Sequence, residues 1–226
     1  MIPILDLTKQ YEQIQTEVEK SVLEVLKSGQ YICGKHNKAL QEEFAQFCGC
    51  KRAVTLNSGT DALHLALRAL NIGAGDEVIT TAFTFVATTE AIGIVGATPI
   101  FADIDPKTFD IDPNSVEKIL KKEKNVKAVI CVHLYGLPCN MGELLKLKKK
   151  YKFVLIEDAC QAHLAKYKNK TVGSIGDAGA FSFYATKNMT TGEGGAVLTN
   201  NSKIDKISDG KQYIETIYGG GYKLNI

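Results

Sequence analysis

The chain alternates apolar strand-like segments with amphipathic helical segments, and this alternation limits the folds that it can adopt. The apolar residues of the strand-like segments form continuous runs instead of alternating with polar residues, which is typical of strands covered on both faces. The sequence therefore predicts an α/β fold, with a seven-stranded, mostly parallel sheet between helices. The predicted strands are residues 52–56, 77–80, 98–104, 127–132, 153–157, 178–184 and 195–200.

Helical segments precede and separate these strands. We expect the dipeptide Ser28-Gly29 to end the first helix, and Leu40, Phe44 and Phe47 to share one side of the second. The predicted helices are residues 11–27, 38–48, 61–70, 87–95, 113–122 and 141–150.

Two predicted domains follow from this pattern. Residues 1–30 form an N-terminal segment and helix, and residues 31–226 form a large domain that is incomplete at its C-terminal end. Residues 213–226 show no clear closing element. With 45% hydrophobic residues, the chain has ample material for a sizeable core.

Composition argues against several classes of partner. The chain has 27 basic and 25 acidic residues, so no nucleic-acid or anionic-membrane partner is expected. Its six cysteines include no C-x-x-C pair, and no metal site is expected. No apolar run resembles a signal peptide or has the length of a membrane span. We therefore expect a soluble protein in a reducing, cytoplasmic compartment.

Lys187 lies in a polar turn between the last two predicted strands, five residues after Ser182. A lysine amine is a good nucleophile only when its pKa falls from about 10.4, through desolvation or a nearby cation. Such lysines form Schiff bases with carbonyl compounds, including pyridoxal phosphate (PLP). For one loop lysine taken alone, a solvated side chain is the commoner interpretation, and the other strand ends decide against it.

The turn Asn57-Ser58-Gly59-Thr60-Asp61 joins the first predicted strand to a helix. Free N–H groups at a helix N-terminus, with nearby hydroxyls, suit a phosphate group. An ordinary helix cap is the alternative. The turn has neither the G-K-[ST] of a P-loop nor the G-x-G-x-x-G of a dinucleotide site.

Two further strand ends carry residues suited to a flat, charged ring. Phe83 and Phe85 could stack on a heteroaromatic ring, although core packing is the alternative. Glu157 and Asp158 end a hydrophobic strand, where carboxylates are costly unless paired. Asp158 could face a protonated pyridine nitrogen, with Gln161 bonding a ring substituent, although a helix cap or ion pair would also explain Asp158. Together the four strand ends supply the parts of a PLP site.

Seven motifs, in this order, now support a family resemblance: NSGTDALHLAL, AFTFVAT, GATPIFADID, VHLYG, EDACQAH, GSIGDAGAFSFYATKN and TTGEGGAV. The chain resembles the DegT/DnrJ/EryC1/StrS family of PLP-dependent nucleotide-sugar aminotransferases, which have the aspartate-aminotransferase (type I) fold. The resemblance extends from Leu5 over nearly all of the chain.

The resemblance implies a role for each matching residue. Lys187 would be the Schiff-base lysine, Asp158 the partner of the pyridine nitrogen, and Gln161 a contact of the phenolic oxygen. Phe85 would stack on the ring. The phosphate would be held by Gly59, Thr60, the backbone of Asp61, and Ser182. Two further matching residues, assigned to supporting or structural roles, are His163 and Glu193.

The implied reaction is a ping-pong transfer of nitrogen from an amino donor, expected to be glutamate, to a nucleotide-linked keto-deoxysugar in amino-sugar and surface-glycan biosynthesis. Carbon 3 and carbon 4 of the sugar both stay open as the site of amination. A sugar dehydratase of the same fold is an alternative, but those relatives carry histidine in place of the lysine that stands at Lys187. A truncated, non-catalytic binding or assembly module is the other alternative.

The departures from the family pattern lie at two positions and at the end of the chain. Lys35 stands where the family often has Pro, and Leu164 where Gly is usual; we expect both to be tolerated surface or packing changes. Family members continue into a small C-terminal domain, so we expect a fragment or a truncated product. The family also implies a homodimer with shared active sites, for which Asn225 is a candidate contact.

Overall fold

The structure is a computed structural model that describes residues 5–201, together with the strand backbone of residues 214–217 and 221–224. Its helices are α1 (Leu7–Ser28), α2 (Lys35–Cys48), α3 (Gly59–Ala69), α4 (Ala87–Ile94), α5 (Pro113–Lys122) and α6 (Met141–Tyr151). Its strands are β1 (Arg52–Leu56), β2 (Glu77–Thr81), β3 (Thr98–Ala102), β4 (Val126–Val132), β5 (Val154–Asp158), β6 (Lys166–Tyr167), β7 (Lys170–Thr171), β8 (Ala178–Ser182), β9 (Gly195–Thr199), β10 (Ile214–Ile217) and β11 (Gly221–Leu224).

Seven of these strands form one sheet in the order β1-β9-β8-β5-β4-β2-β3. Strand β9 is antiparallel to both of its neighbours, and the other pairs are parallel. The predicted seven-stranded, mostly parallel sheet is confirmed. The described part contains no helix long and apolar enough to cross a membrane.

Both faces of the sheet are covered, which explains the continuous apolar runs in the sequence. Successive strand residues point to opposite faces, and the neighbours Leu155 and Ile156 of β5 are both fully buried, in different core clusters. The cluster around Ile156 includes residues of α3 and α4, and the cluster around Leu155 includes residues of α5 and α6. A strand between two helical layers therefore needs no polar face.

Helix α1 begins earlier than the sequence predicted, because Asp6 caps it by accepting a hydrogen bond from Thr8 N at 3.1 Å. It ends at Gly29, which adopts the left-handed conformation, as the Ser28-Gly29 signal predicted. No residue of α1 is buried. The helix prediction is right, but nothing in the described part of the chain covers its apolar side.

The second helix buries only part of its predicted apolar side. Phe44 is 6% exposed and packs edge-on against Phe181 with ring centroids 5.1 Å apart, whereas Phe47 is 65% exposed. The buried residues of α2 are Phe44, Ala45 and Cys48. At about 100° per residue, Phe47 lies about 60° from Phe44 on the side away from Ala45 and Cys48, so it is exposed although it shares a side with Leu40 and Phe44.

Other differences concern element ends. The strands predicted to reach residues 104 and 184 end at Ala102 and Ser182. The short β6–β7 pair was not predicted, and residues 214–217 and 221–224 form an antiparallel strand pair where the sequence showed no closing element. Asn225, the candidate dimer contact, lies outside the described residues.

Candidate active site

The carboxyl ends of β1, β5 and β8 place most of the predicted site residues at one edge of the sheet. Strands β5 and β8 are parallel neighbours, so they end at the same edge, where Asp158 closes β5 and Ser182 closes β8. The turn after β1 reaches the same edge two strands away. Open α/β sheets bind ligands at such an edge.

Gly59 brings this turn into contact with the ends of the other two strands. A Cβ atom at Gly59 would lie 2.7 Å from Cys160 Sγ and 2.8 Å from Ser182 Cβ, which is closer than real side chains approach. Only glycine permits this approach. Because Gly59 has no side chain, the start of α3 packs directly against the ends of β5 and β8.

The start of α3 leaves donors available for a phosphate group. Ser58 Oγ accepts from Asp61 N at 3.0 Å, and the first intrahelical bond runs from Ala62 N to Ser58 O at 3.1 Å. The N–H groups of Gly59 and Thr60 precede that bond, so they are the free donors of the helix. The Asp61 N–H, which the resemblance also assigns to the phosphate, is already used by Ser58.

Ser182 faces the cradle from β8. Its hydroxyl oxygen accepts from Tyr184 N at 3.3 Å, and the side chain is largely buried. A hydroxyl that accepts one bond still has its own proton to donate. Ser182 can therefore add a third donor beside the N–H groups of Gly59 and Thr60.

Asp158 is buried and receives a hydrogen bond on each carboxylate oxygen. Thr88 Oγ1 lies 2.9 Å from Oδ2, and Cys160 N lies 3.2 Å from Oδ1. Its backbone oxygen accepts from His133 N at 3.0 Å. Each carboxylate oxygen accepts up to two bonds, so the group has capacity left for an N–H of a ligand. Asp158 could be predicted from the sequence, but its partner Thr88 could not.

Gln161 is held through its amide oxygen. Gln161 Oε1 accepts from Tyr135 N at 3.1 Å, and Tyr135 has a left-handed backbone with φ 55°. Because the amide oxygen is used, the Nε2 group remains as a donor. A donor at this position suits the phenolic oxygen that the resemblance assigns to Gln161.

Lys187 is partly buried, and no carboxylate of the described residues forms an ion pair with it. Burial raises the pKa of Cys160, with Asp158 adding to the rise and the positive charge of Lys187 opposing it. Lys187 therefore lies close to the strand end that carries Asp158. A partly buried amine that has no carboxylate partner is suited to covalent attachment of a carbonyl compound.

His163 also lies close enough to Lys187 to feel its charge. Burial is the main cause that lowers the pKa of His163, and the charge of Lys187 adds to it. Both ring nitrogens are buried without a close hydrogen-bond partner, and the ring packs 5.4 Å from Phe181. His163 is therefore a neutral wall of the site. Glu193 is exposed in the turn before β9.

The two candidate stacking rings differ in their surroundings. Phe83 packs against Phe109 with ring centroids 5.6 Å apart. Phe85 is 66% exposed. An exposed phenylalanine at this edge has a ring face available for stacking, which favours Phe85 over Phe83 as the stacking residue.

Glu157, the neighbour of Asp158, has a structural environment. Its carboxylate is fully buried and accepts from three backbone N–H groups, those of Gly173 (2.8 Å), Ile175 (2.7 Å) and Gly176 (2.6 Å). His133 Nε2 lies 3.0 Å from it. This explains why two adjacent carboxylates are tolerated: each lies on its own side of β5, and each accepts hydrogen bonds on both of its oxygens.

Asp110 extends this buried polar region and gives a pH-dependent prediction. Burial is the main cause that raises the pKa of Asp110 to about 7, with the Cys139 sulfur, 3.7 Å from Oδ1, adding to it. The unfolded side chain releases its proton near the ordinary value of 3.8. Between these values the native state binds more protons, so stability falls as pH rises.

We expect Asp110→Asn to remove this dependence. Between pH 4 and 7, the free energy of unfolding of the unsubstituted chain should fall more steeply than that of Asp110→Asn. The two slopes should differ by up to about 1.4 kcal/mol per pH unit. Urea unfolding of both proteins at several pH values measures the difference in their free energies of unfolding. Groups that titrate in both proteins, such as His163, contribute equally and cancel in this difference. Parallel curves for the two proteins would contradict the prediction.

The two departures from the family pattern have different physical meanings. Lys35 is the first residue of α2, a position where Pro is also favoured. Leu164 is exposed and has φ 66°, in the left-handed region. A side chain there costs about 1–2 kcal/mol. Leu164 is therefore a surface departure with a conformational cost, because the backbone favours glycine at this position.

The comparisons with known proteins agree with this geometry. The sequence profile of the DegT/DnrJ/EryC1/StrS aminotransferase family matches residues 12–212. The chain belongs to this family. The aminotransferases of the family depend on PLP.

Individual relatives include enzymes of amino-sugar synthesis. A pleiotropic regulatory protein of Geobacillus stearothermophilus is 44% identical over 204 residues, 90% of this chain and 54% of its own length. The dTDP-3-amino-3,6-dideoxy-alpha-D-galactopyranose transaminase of Aneurinibacillus thermoaerophilus is 43% identical over 205 residues, 90% of this chain and 56% of its own length.

A solved structure confirms the fold class. DesV of S. venezuelae superposes with a TM-score of 0.89 at 37% identity, covering 99% of this chain and 62% of that chain. Among the curated relatives named above, the chain spans 54% and 56% of their length. What the whole protein does is therefore a matter for proposal.

Proposed function

We propose that the protein transfers an amino group from glutamate to a nucleotide-linked keto-deoxysugar, with PLP as cofactor. One observation supports this proposal above the others: three features lie together at one edge of the sheet. They are the helix start at Gly59 with its free N–H groups, the buried carboxylate of Asp158, and Lys187, which has no carboxylate partner among the described residues. The sugar transaminase among its relatives supports the substrate class. Carbon 3 and carbon 4 are both compatible with these residues.

The chain's own residues divide the work. Lys187 would hold the cofactor through its Nζ atom and would move a proton with the same atom. Asp158 keeps the pyridine nitrogen protonated, and Gln161 donates to the phenolic oxygen. PLP, when bound, supplies an electron sink for the substrate carbon. Phosphate binding is proposed for Gly59, Thr60 and Ser182, with the Asp61 N–H shared between Ser58 and the phosphate, and ring stacking is proposed for Phe85.

The domain division, the assembly and the compartment belong to the same proposal. We propose residues 1–30 as an N-terminal segment with its helix, and residues 31–226 as the cofactor-binding domain; the absence of buried residues in α1 supports this division. Six unpaired cysteines support a cytoplasmic location. A homodimer with shared sites is supported by exposed apolar residues near the sheet edge: Phe85, Val86, Tyr135, Leu137, Leu164 and Tyr184.

Cofactor attachment tests the proposal. We expect purified chain with PLP to develop the visible absorbance band of lysine-bound PLP, and borohydride followed by peptide mass mapping to place the label on Lys187. Lys187→Ala should lose the band, whereas Lys168→Ala, which removes an exposed lysine, should keep it. Glutamate should then bleach the band as nitrogen moves to the cofactor.

Two results would contradict the proposal. A label scattered over surface lysines would mean that these residues form no PLP site. If the label maps to Lys187 but glutamate leaves the absorbance band unchanged, the chain has a PLP site. Amino transfer by this chain is then contradicted.

A further inference from the structure

Thr88 makes a hydrogen bond that its position in α4 does not predict. It lies in the first turn of the helix, where a threonine hydroxyl commonly caps the backbone. The α4 N-cap, Val86, makes no side-chain bond, and the fully buried Thr88 hydroxyl instead reaches across to Asp158 Oδ2 at 2.9 Å. The hydroxyl therefore donates its hydrogen bond to a residue at the edge of the sheet and not to the backbone of its own helix.

The direction of the bond follows from the inventory of protons. An ionised carboxylate only accepts, so Thr88 spends its single hydroxyl proton on Asp158. Thr84 Oγ1 lies 3.0 Å from Thr88 Oγ1. Because the Thr88 proton is used, Thr84 must be the donor in this second contact. The result is a directed relay from Thr84 through Thr88 to Asp158.

The relay fixes one side of the carboxylate. Cys160 N donates to Oδ1 at 3.2 Å, and His133 N to the backbone oxygen at 3.0 Å. The backbone groups hold the strand end, but only Thr88 bonds Oδ2 among the described residues. Donors to a carboxylate favour its charged form and restrict its rotation.

We propose that Thr88, oriented by Thr84, is a positioning residue that holds the Asp158 carboxylate in the orientation needed to accept the pyridine N–H of PLP. This inference rests on the proposed PLP site. It predicts that the hydroxyl at position 88, rather than the bulk of the side chain, determines how strongly the ring nitrogen is held.

Three variants separate the hydroxyl from the packing. Thr88→Val keeps the branched shape and removes the donor, Thr88→Ser keeps the donor and removes a methyl group, and Thr84→Val removes only the second bond of the relay. We expect Thr88→Val to bind PLP roughly tenfold more weakly, the effect of one lost hydrogen bond to a charged group. Thr88→Ser should bind within about twofold of the original chain, and Thr84→Val should fall between them.

PLP titration followed by absorbance gives the affinities, and the pH dependence of the visible band gives a second readout. The band of Thr88→Val should change at a different pH from the original chain, and that of Thr88→Ser should not. Thermal unfolding without PLP checks that each variant folds.

The inference is overturned if Thr88→Val binds PLP with unchanged affinity and band, or if Thr88→Ser is impaired as much as Thr88→Val. The second pattern would show a packing role alone. If the original chain itself binds no PLP, the proposed function fails and this inference with it, a result distinct from the other two.

Discussion

Glu157→Gln is expected to lower the free energy of unfolding by about 2–6 kcal/mol, because two buried N–H donors would lose their acceptor at about 1–3 kcal/mol each. The carboxylate has two acceptor oxygens, and each faces two donors: Oε1 faces Ile175 N and Gly176 N, and Oε2 faces Gly173 N and His133 Nε2. A glutamine amide must point its NH₂ group at one of these pairs. Two bonds are then lost, and donors face donors in a dry site.

The histidine cannot adapt to the change. His133 Nδ1 accepts from Cys139 N at 3.1 Å, so the ring carries its proton on Nε2 and donates it to Glu157. Reversing the ring's tautomer to suit the glutamine would leave the Cys139 N–H facing an N–H group. The cost of the substitution therefore cannot be relieved by a proton shift within the pair.

Urea unfolding measures this effect, with Glu143→Gln as the matched control. Glu143 is exposed in the first turn of α6 and pairs with Lys146 at 2.6 Å. Loss of that surface pair should cost at most about 1 kcal/mol. Equal stabilities for the two variants would show that the buried carboxylate is not needed to hold residues 173–176, the Gly173 loop, against β5.

The fold could be predicted because it depends on a pattern that one sequence displays in full. A strand between two helical layers has apolar neighbours in series, as Leu155 and Ile156 show, and each such run marks a buried strand. The arc that a helix buries depends on its partners. Phe47 has the right spacing and hydrophobicity for burial, and it is exposed because the core contacts α2 elsewhere.

The site was predictable where a residue's chemistry is unusual for its place. Lys187 between two core strands and Asp158 at the end of an apolar strand both stand out by type. Thr88 does not, because a threonine in the first turn of a helix is ordinary. Its partner lies 70 residues away in sequence, and only the packing of α4 on the sheet brings the two together.

The same limit applies to the two adjacent carboxylates. The sequence could not separate a structural from a functional role for Glu157 and Asp158. The strand geometry separates them, because consecutive side chains leave β5 on opposite sides. One side holds the N–H groups of the Gly173 loop, and the other holds Thr88 and the open edge.

Gly195→Ala is expected to damage both the fold and the phosphate cradle. Gly195 starts β9 and pairs with Ser182 on one side and Leu56 on the other. A Cβ atom there would collide with the backbone carbonyl of Ser58 and lie 2.9 Å from Gly59 N. These contacts are with backbone atoms, which cannot rotate away as a flexible side chain could. Either strand β9 or the start of α3 must therefore move.

We expect the substitution to destabilise the chain by about 1–3 kcal/mol, the usual range for overpacking a core, and to weaken PLP binding by displacing Gly59 N. Gly93→Ala is the matched control. Gly93 is exposed within α4 with open space around it, so alanine should leave stability unchanged or raise it by up to about 1 kcal/mol. Urea unfolding and PLP titration measure the two effects. A Gly195→Ala chain as stable as Gly93→Ala, with the same PLP affinity, would mean that the close approach of β9 to Ser58 does not hold the cradle in place.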